Sequence, residues 1–325
     1  MGNKKKIVFI SASFAKAGVL FDWIKKFSKK SDDHFVYWDE FAFTTESLLD
    51  YDAILIFNNP SEKILANSFP EKIMAFMMEP GCMDEHPWMF KNLEQYATVY
   101  SPLQNSANTT QSHGFLGWHL LQDWHHLSGL AVPEKAATIS CIASNLTKLK
   151  GHKLRVDFIK QLQKAIPAID FFGRGSNFLP DKMSGLLPYR YSIAMENSSI
   201  PYYFTEKIND CFLAYTVPLY HGCKNIGKYF PEKSFIQINI EEPLQAIEKI
   251  QNIMAADNWH QRFGALQEAR ELVLNKYQPL AAASAILRQI KPGIKAPVLL
   301  NPVLPTITRR IKNIYQHLKK YNSAG

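Results

Sequence analysis

Only four cysteines occur in 325 residues, Cys82, Cys141, Cys211 and Cys223, and none of them stands in a C-x-x-C spacing. A zinc ribbon, a disulfide scaffold and a paired redox site are thereby excluded, and the four thiols read as reduced and structural in a cytosolic protein. No stretch approaches the ~20 consecutive apolar residues that cross a bilayer. The lysines of the opening segment lead only into the short apolar run Ile7 to Ile10, so neither a signal peptide nor a membrane anchor is expected. Met1-Gly2 invites myristoylation, but Lys6 occupies the position where that signal needs Ser or Thr. Internal repeats and low-complexity tracts are also missing. Acidic residues are outnumbered 29 to 37 by Lys and Arg, and the net charge of +8 favours polyanionic ligands or an anionic membrane face. Nucleic acid is not expected, because no recognition motif or aromatic-basic alternation accompanies that charge.

What is present is enough to build two ordinary domains, at 46% hydrophobic and 20% charged residues. In the first part, Ile7 to Ile10, Phe35 to Trp38, Ala53 to Phe57, Ile73 to Met78 and Ala97 to Tyr100 read as strands, with amphipathic segments such as Phe21 to Lys30 between them. This alternation predicts a parallel, doubly wound sheet. The stretch Gln111 to Gly129 is irregular, and Pro133-Glu134-Lys135 marks the expected boundary. A second alternation follows: strand Thr138 to Ala143, helix Gly151 to Ala165, and strand Ala168 to Phe172 ending in Gly173-Arg174-Gly175. Helices are expected over Pro243 to Met254, Trp259 to Lys276 and Ala281 to Ile290, covering the second sheet.

The chain is organised around Tyr189 to Lys207, YRYSIAMENSSIPYYFTEK. Tyr191 to Met195 suits a buried strand and stops abruptly at Glu196-Asn197-Ser198-Ser199. Thr205 can cap a helix from Glu206 to Ala214, whose first-turn N-H groups, with Lys207 beside them, can hold a phosphate or diphosphate. Thr216 to Tyr220 reads as the next parallel strand. Ligands of open parallel sheets bind at such carboxyl ends. Gly173 fits close backbone approach to a nucleotide or a plain glycine turn.

The same stretch resembles the donor signature of family 10 glycosyltransferases, the α1,3/4-fucosyltransferases. Glu196, Asn197, Tyr203, Thr205, Glu206, Lys207, Ile208, Asp210, Pro218, Tyr220, Gly222, Lys233, Ser234 and Phe235 match its spacing, with departures at Met195, Phe204 and His221. The resemblance implies a GT-B architecture, an α/β fold of two Rossmann-like domains facing a cleft. The expected division is 1–133 on the acceptor side, 134–291 as the nucleotide-sugar domain, and 292–325 as a proline-rich linker with a tail helix. The implied donor ligands are Arg155, Glu196, Asn197, Tyr203, Thr205 and Lys207, to which the turn reading adds Gly173, with Glu206 in the catalytic set beside a base; a solvated helix charge is the alternative for Arg155. The soluble bacterial form of the family is the one expected.

A base must take the acceptor hydroxyl's proton. Glu79 closes the strand Ile73 to Met78 at the cleft edge of the first domain and resembles the family's proposed base in place; Asp84 and Glu85 are rivals, and a turn cap is the bland alternative. Asp50-Tyr51-Asp52 is a literal D-x-D, a motif that elsewhere holds a divalent ion against diphosphate, but it precedes a strand, and no metal or other cofactor is expected. His113, His119, His125 and His126 match no common zinc spacing. Trp118 and Trp124 can stack on sugars or fill the core, and core packing is preferred.

Pro292, Pro297, Pro302 and Pro305 make Gly293 to Pro305 read as a linker. Beyond it, Ile307, Ile311, Ile314, Tyr315 and Leu318 share one helical face, with Arg309, Arg310, Lys312, Lys319 and Lys320 on the remainder. This tail, residues 306–321, is expected either to lie on an anionic membrane or to pack back on the first domain. Together these features lead to an inverting transferase that moves fucose from GDP-fucose to a glycan hydroxyl, such as O3 of GlcNAc. The expected acceptor is an oligosaccharide or lipid-linked surface glycan such as lipopolysaccharide, and the expected location is the cytoplasm or the inner membrane face. Alternatives are the same fold with another GDP-deoxysugar, motivated by Met195 and His221, and a non-catalytic glycan- or nucleotide-binding protein.

Overall fold

A computed structural model describes residues 4–79, 87–145, 147, 150–173 and 177–303. The first half forms a sheet from β1 (Lys6–Ala12), β2 (Lys30–Ser31), β3 (Val36–Trp38), β4 (Phe41–Thr44), β5 (Ala53–Phe57), β7 (Ile73–Phe76), β8 (Thr98–Ser101) and β9 (Thr109–Gln111), in the spatial order β2-β3-β4-β1-β5-β7-β8-β9. A further strand, β6 (Ile64–Ser68), leaves this sheet. The central strands β5 and β7 are buried at every position, as continuous apolar runs in a doubly covered parallel sheet should be.

The expected regular alternation with helices does not hold in this half. Before residue 120 the only α-helix among the described residues is α1 (Ala17–Lys25), which starts and stops earlier than the predicted segment Phe21 to Lys30. At one edge Asp39 and Glu40 alone join β3 to β4, so that edge is an antiparallel hairpin turned at Asp39 with φ 51°.

The second sheet is wholly parallel, built from β10 (Ala137–Ile142), β11 (Asp170–Phe172), β12 (Tyr189–Met195), β13 (Val217–His221) and β14 (Ile236–Gln237), in the order β11-β10-β12-β13-β14. A short helix, α2 (Trp124–Ser128), capped by Asp123, precedes it. The sheet's helices are α3 (Lys150–Ala165), α4 (Glu206–Leu213), α5 (Pro243–Ala256), α6 (Trp259–Leu272) and α7 (Pro279–Gln289). The order reverses between β10 and β12, and the crevice outside their carboxyl ends is where such a sheet presents a ligand site.

One apolar core joins the two sheets, running from Val8, Leu55 and Phe76 through Phe115 and Trp118 to Ile193, Phe204 and Phe212. Trp118 is fully buried and meets Phe27 edge-on at 4.6 Å, which is the core role. Phe204, where the signature departs from its usual valine, stacks on the buried His113 ring at 4.7 Å. Burial pushes the pKa of that histidine down to about 3, so it is a neutral packing group.

The reading of Gly293 to Pro305 as a linker is corrected. Ala296–Leu300 is a strand, β15, that pairs antiparallel with β6 of the first half. β15 is paired on one side only, and Asn67, which faces Pro297, gives its amide to Leu49 O and its carbonyl to the Tyr51 amide, so the N-H that Pro297 lacks is not missed. Lys295, just before β15, binds Asp50 and lies 3.2 Å from Asp52 Oδ1, while Asp52 Oδ2 accepts from the Ile7 amide at 2.8 Å. The D-x-D carboxylates thus fasten a returning strand at the amino end of β5, away from the carboxyl ends where the ligand crevice opens. The tail over 306–321 lies outside the described residues.

Candidate active site

The site is assembled where β12 stops. Its apolar run delivers Glu196 into the interior at 1% exposure, and the Glu196 amide continues the ladder by donating to His221 O at 2.8 Å. A carboxylate so deeply placed must be supplied with donors. Thr205 provides two, its amide at 2.8 Å and its hydroxyl at 2.8 and 2.9 Å from the two oxygens, and Lys207 Nζ stands 3.1 Å from Oε2. Two glycines make room for this turn. A Cβ on Gly222 would sit 2.5 Å from Glu196 Cγ, and one on Gly151, at the start of α3, would sit 1.8 Å from Asn197 O.

Two expectations are refined here. Thr205 does occupy the position before α4, but its hydroxyl serves Glu196 and makes no capping bond to the helix. Lys207 is not a free ammonium waiting for phosphate: besides Glu196 it contacts Thr205 Oγ1 at 2.9 Å and Glu206 Oε1 at 3.3 Å. Burial opposes its charge, yet Glu196 and Glu206 outweigh that and raise its pKa. Glu206 is also largely buried, with Lys182 at 3.5 Å and His119 Nδ1 at 3.6 Å. Burial alone would raise its pKa; Lys207, then Lys182 and His119, hold it well below the usual carboxylate range.

Arg155 reaches the same crevice from α3. It is 6% exposed, donates from Nη1 to Met195 O at 3.1 Å, and its Nε has no hydrogen-bond partner among the described residues. Burial lowers its pKa, opposed by Glu196 and Tyr203. Tyr203 donates to Asn197 Oδ1 at 2.9 Å, so both lie on the turn between β12 and α4. Gly173 stands at the end of β11 with φ 135°, and a Cβ there would lie 1.8 Å from Ala143 O. Its glycine requirement comes from the neighbouring strand end.

Glu79 is brought to this group from the other sheet. It follows β7 and is half-buried. Its pKa is raised, first by burial and also by the Glu206 carboxylate, with Lys207 opposing. It therefore feels the charges at the start of α4. The rivals Asp84 and Glu85 lie outside the described residues.

Sequence reasoning missed the groups that fasten α4. Lys182 forms a 2.8 Å bond to Asp210 Oδ2, and the amide of His119 donates to Asp210 Oδ1 at 2.9 Å. Asn209 Nδ2 donates to the carbonyls of Leu116 and Gly117 at 3.0 and 2.8 Å. The one-turn spacing of Glu206 and Asp210 was a usable signal for a shared helix face; Lys182 and His119 sit in irregular segments that carry no period. Next to the crevice, a cavity of about 440 Å³ opens at the carboxyl ends of β13 and β14, lined in part by Ser199, His221, Lys224, Gln237 and Lys249. His221 is buried there, which lowers its pKa.

Residues 132–277 match the model of Glycosyltransferase family 10 (fucosyltransferase) C-term. Over 119 residues the chain is 29% identical to a putative fucosyltransferase-like protein of Arabidopsis thaliana, covering 35% of this chain and 23% of that one. It is 23% identical over 184 residues to the 4-galactosyl-N-acetylglucosaminide 3-alpha-L-fucosyltransferase FUT6 of Pongo pygmaeus, covering 55% of this chain and 49% of that protein. The chain therefore spans about half or less of the length of these relatives. A crystal structure of an alpha1,3-fucosyltransferase superposes with a TM-score of 0.51 at 15% identity, over 86% of this chain and 94% of that one. At that identity the likeness establishes the fold, which is GT-B.

Proposed function

We propose that the chain is a glycosyltransferase of family 10, the family whose model residues 132–277 match, and that it transfers fucose from GDP-fucose to a glycan hydroxyl with inversion at the anomeric carbon. The observation that carries this reading is the buried Arg155 guanidinium, whose Nε has no hydrogen-bond partner among the described residues, set beside the Glu196-Thr205-Lys207 network at the point where the strand order reverses. A diphosphate supplies the oxygens that such a site needs.

In this mechanism Glu79, ionised, accepts the proton of the acceptor hydroxyl as its oxygen bonds to the anomeric carbon. The bond from that carbon to the β-phosphate oxygen breaks, and GDP leaves with the electron pair. Arg155 and Lys207 offset the charge that grows on the diphosphate. Asn197 and Tyr203, already bonded to one another, orient the donor, and Glu206 holds Lys207 together with Glu196. The Glu79 carboxyl suits a base because burial raises its pKa, which strengthens its hold on the acceptor proton. The proposed acceptor is a surface glycan such as lipopolysaccharide.

The test is a transfer assay with GDP-fucose, GDP-mannose and UDP-galactose, without added metal, on a panel of GlcNAc-containing acceptors. The product's anomeric configuration is read by NMR. An α-linked fucoside formed only from GDP-fucose is expected. Preference for another donor, or a β-linked product, would overturn the reading.

A further inference from the structure

Three carboxylates, Glu196, Glu206 and Asp210, converge on the first turns of α4, each at most 9% exposed. Any dianionic ligand entering the crevice meets them. Lys207 and Arg155 supply only two opposing charges, and Lys207 is shared between Glu196 and Glu206. The third cation is Lys182, from the turn Lys182–Gly185 that precedes β12. Its ammonium lies 2.8 Å from Asp210 Oδ2 and 3.5 Å from Glu206 Oε1. The other groups facing the cluster are His119, 3.6 Å from Glu206, Glu79 from the first sheet, and Lys26 after α1, whose ammonium donates to Leu120 O at 2.8 Å and feels the Asp210 charge. Lys182 is itself anchored, since the preceding Asp181 caps its own turn through the Met183 amide and accepts from Gln122 Nε2 at 2.7 Å.

We infer that Lys182 is a positioning residue of the donor site: it neutralises the Asp210 and Glu206 carboxylates, so that Lys207 and Arg155 present their charge to a diphosphate. The inference rests on the donor reading proposed above. Without Lys182, Asp210 and Glu206 lose the ammonium that contacts them both, and the crevice becomes more negative toward a dianion. Its side chain stays 31% exposed, so solvent screens part of this effect. The two strong acceptors keep its own pKa raised despite burial.

The test separates charge from scaffolding by using two ligands that share the guanine nucleoside and differ in the diphosphate. Calorimetric or fluorescence titration with GDP and with guanosine is carried out on the full chain, on Lys182→Met, on Lys182→Arg and on Lys182→Met/Asp210→Asn. In Lys182→Met, GDP affinity is expected to fall on the order of tenfold while guanosine affinity changes less than about twofold, as loss of one nearby charge predicts. Lys182→Arg and the double variant are expected to recover GDP affinity to within about threefold, the latter because Asp210→Asn removes the excess charge. Unchanged GDP affinity in Lys182→Met overturns the inference, as does an equal loss of GDP and guanosine, which marks a scaffold role. Failure of the double variant or of Lys182→Arg to recover GDP binding also overturns it. Failure of the unaltered chain to bind GDP removes the donor reading itself, and the inference with it.

Discussion

The two halves of the molecule contribute to the site in opposite ways. The second sheet supplies a pre-built cluster: Glu196, Tyr203, Thr205, Glu206 and Lys207 lie within twelve positions of one another and are fixed by short bonds and by glycines that admit no side chain. The first sheet supplies one carboxylate, Glu79, and a loop whose carbonyls and amide clasp α4 from outside. A ligand site built from one strand-turn-helix is encoded locally. A proposed base brought from another sheet is encoded only by the packing of the whole chain.

That contrast can be broken most sharply at Glu79. Replacing it with Gln is expected to lower kcat by about 10²–10⁴-fold, the usual range for a lost general base, while GDP binds within about twofold of the unaltered chain. Steady-state kinetics and a GDP titration check the pair of outcomes. The pH dependence has a defined sign. The base works ionised, so activity is present above its pKa and is lost as pH falls through it. Because burial raises that pKa, the acidic limb should lie above the ordinary glutamate value of about 4.3, and Glu79→Gln should abolish the limb.

On the other side of the comparison, Glu196→Ala removes a buried carboxylate and leaves Lys207 and Thr205 short of a partner. A loss of about 3–5 kcal/mol of stability is expected, typical of a buried pair broken on one side, and urea unfolding measures it. Gly222→Ala is a milder form of the same injury. Forcing a Cβ against Glu196 should cost about 1–3 kcal/mol, as overpacking does, together with weaker GDP binding. The smallest effect is expected far from the crevice: Lys295→Ala loosens β15 by less than about 1 kcal/mol, as exposed ion pairs usually do, without altering GDP affinity.

The second half was largely legible in the sequence. The predicted strand Tyr191 to Met195 and helix Glu206 to Ala214 correspond to β12 and α4, because an apolar run, a polar break and a helical stripe follow in order. What stayed hidden was how the polar groups divide their bonds. Thr205 looks like a cap and Lys207 like a free phosphate ligand until the burial of Glu196 is known, and that burial comes from Gly222 and His221 on the next strand. Lys182 and His119 reach Glu206 from segments without periodicity. In the first half, β6 and β15 pair across more than two hundred residues, and the prolines around β15 masked a strand that needs partners on one side only.

The central claim is that a guanine nucleotide diphosphate is held at the turn between β12 and α4. Amide hydrogen exchange of the full chain with and without GDP tests it most directly. Slowed exchange over residues 195–210 and at the start of α3, with the sheet of β1, β5 and β7 unchanged, is the predicted result. Protection confined to the cavity beside β13 and β14, or none anywhere, would contradict it.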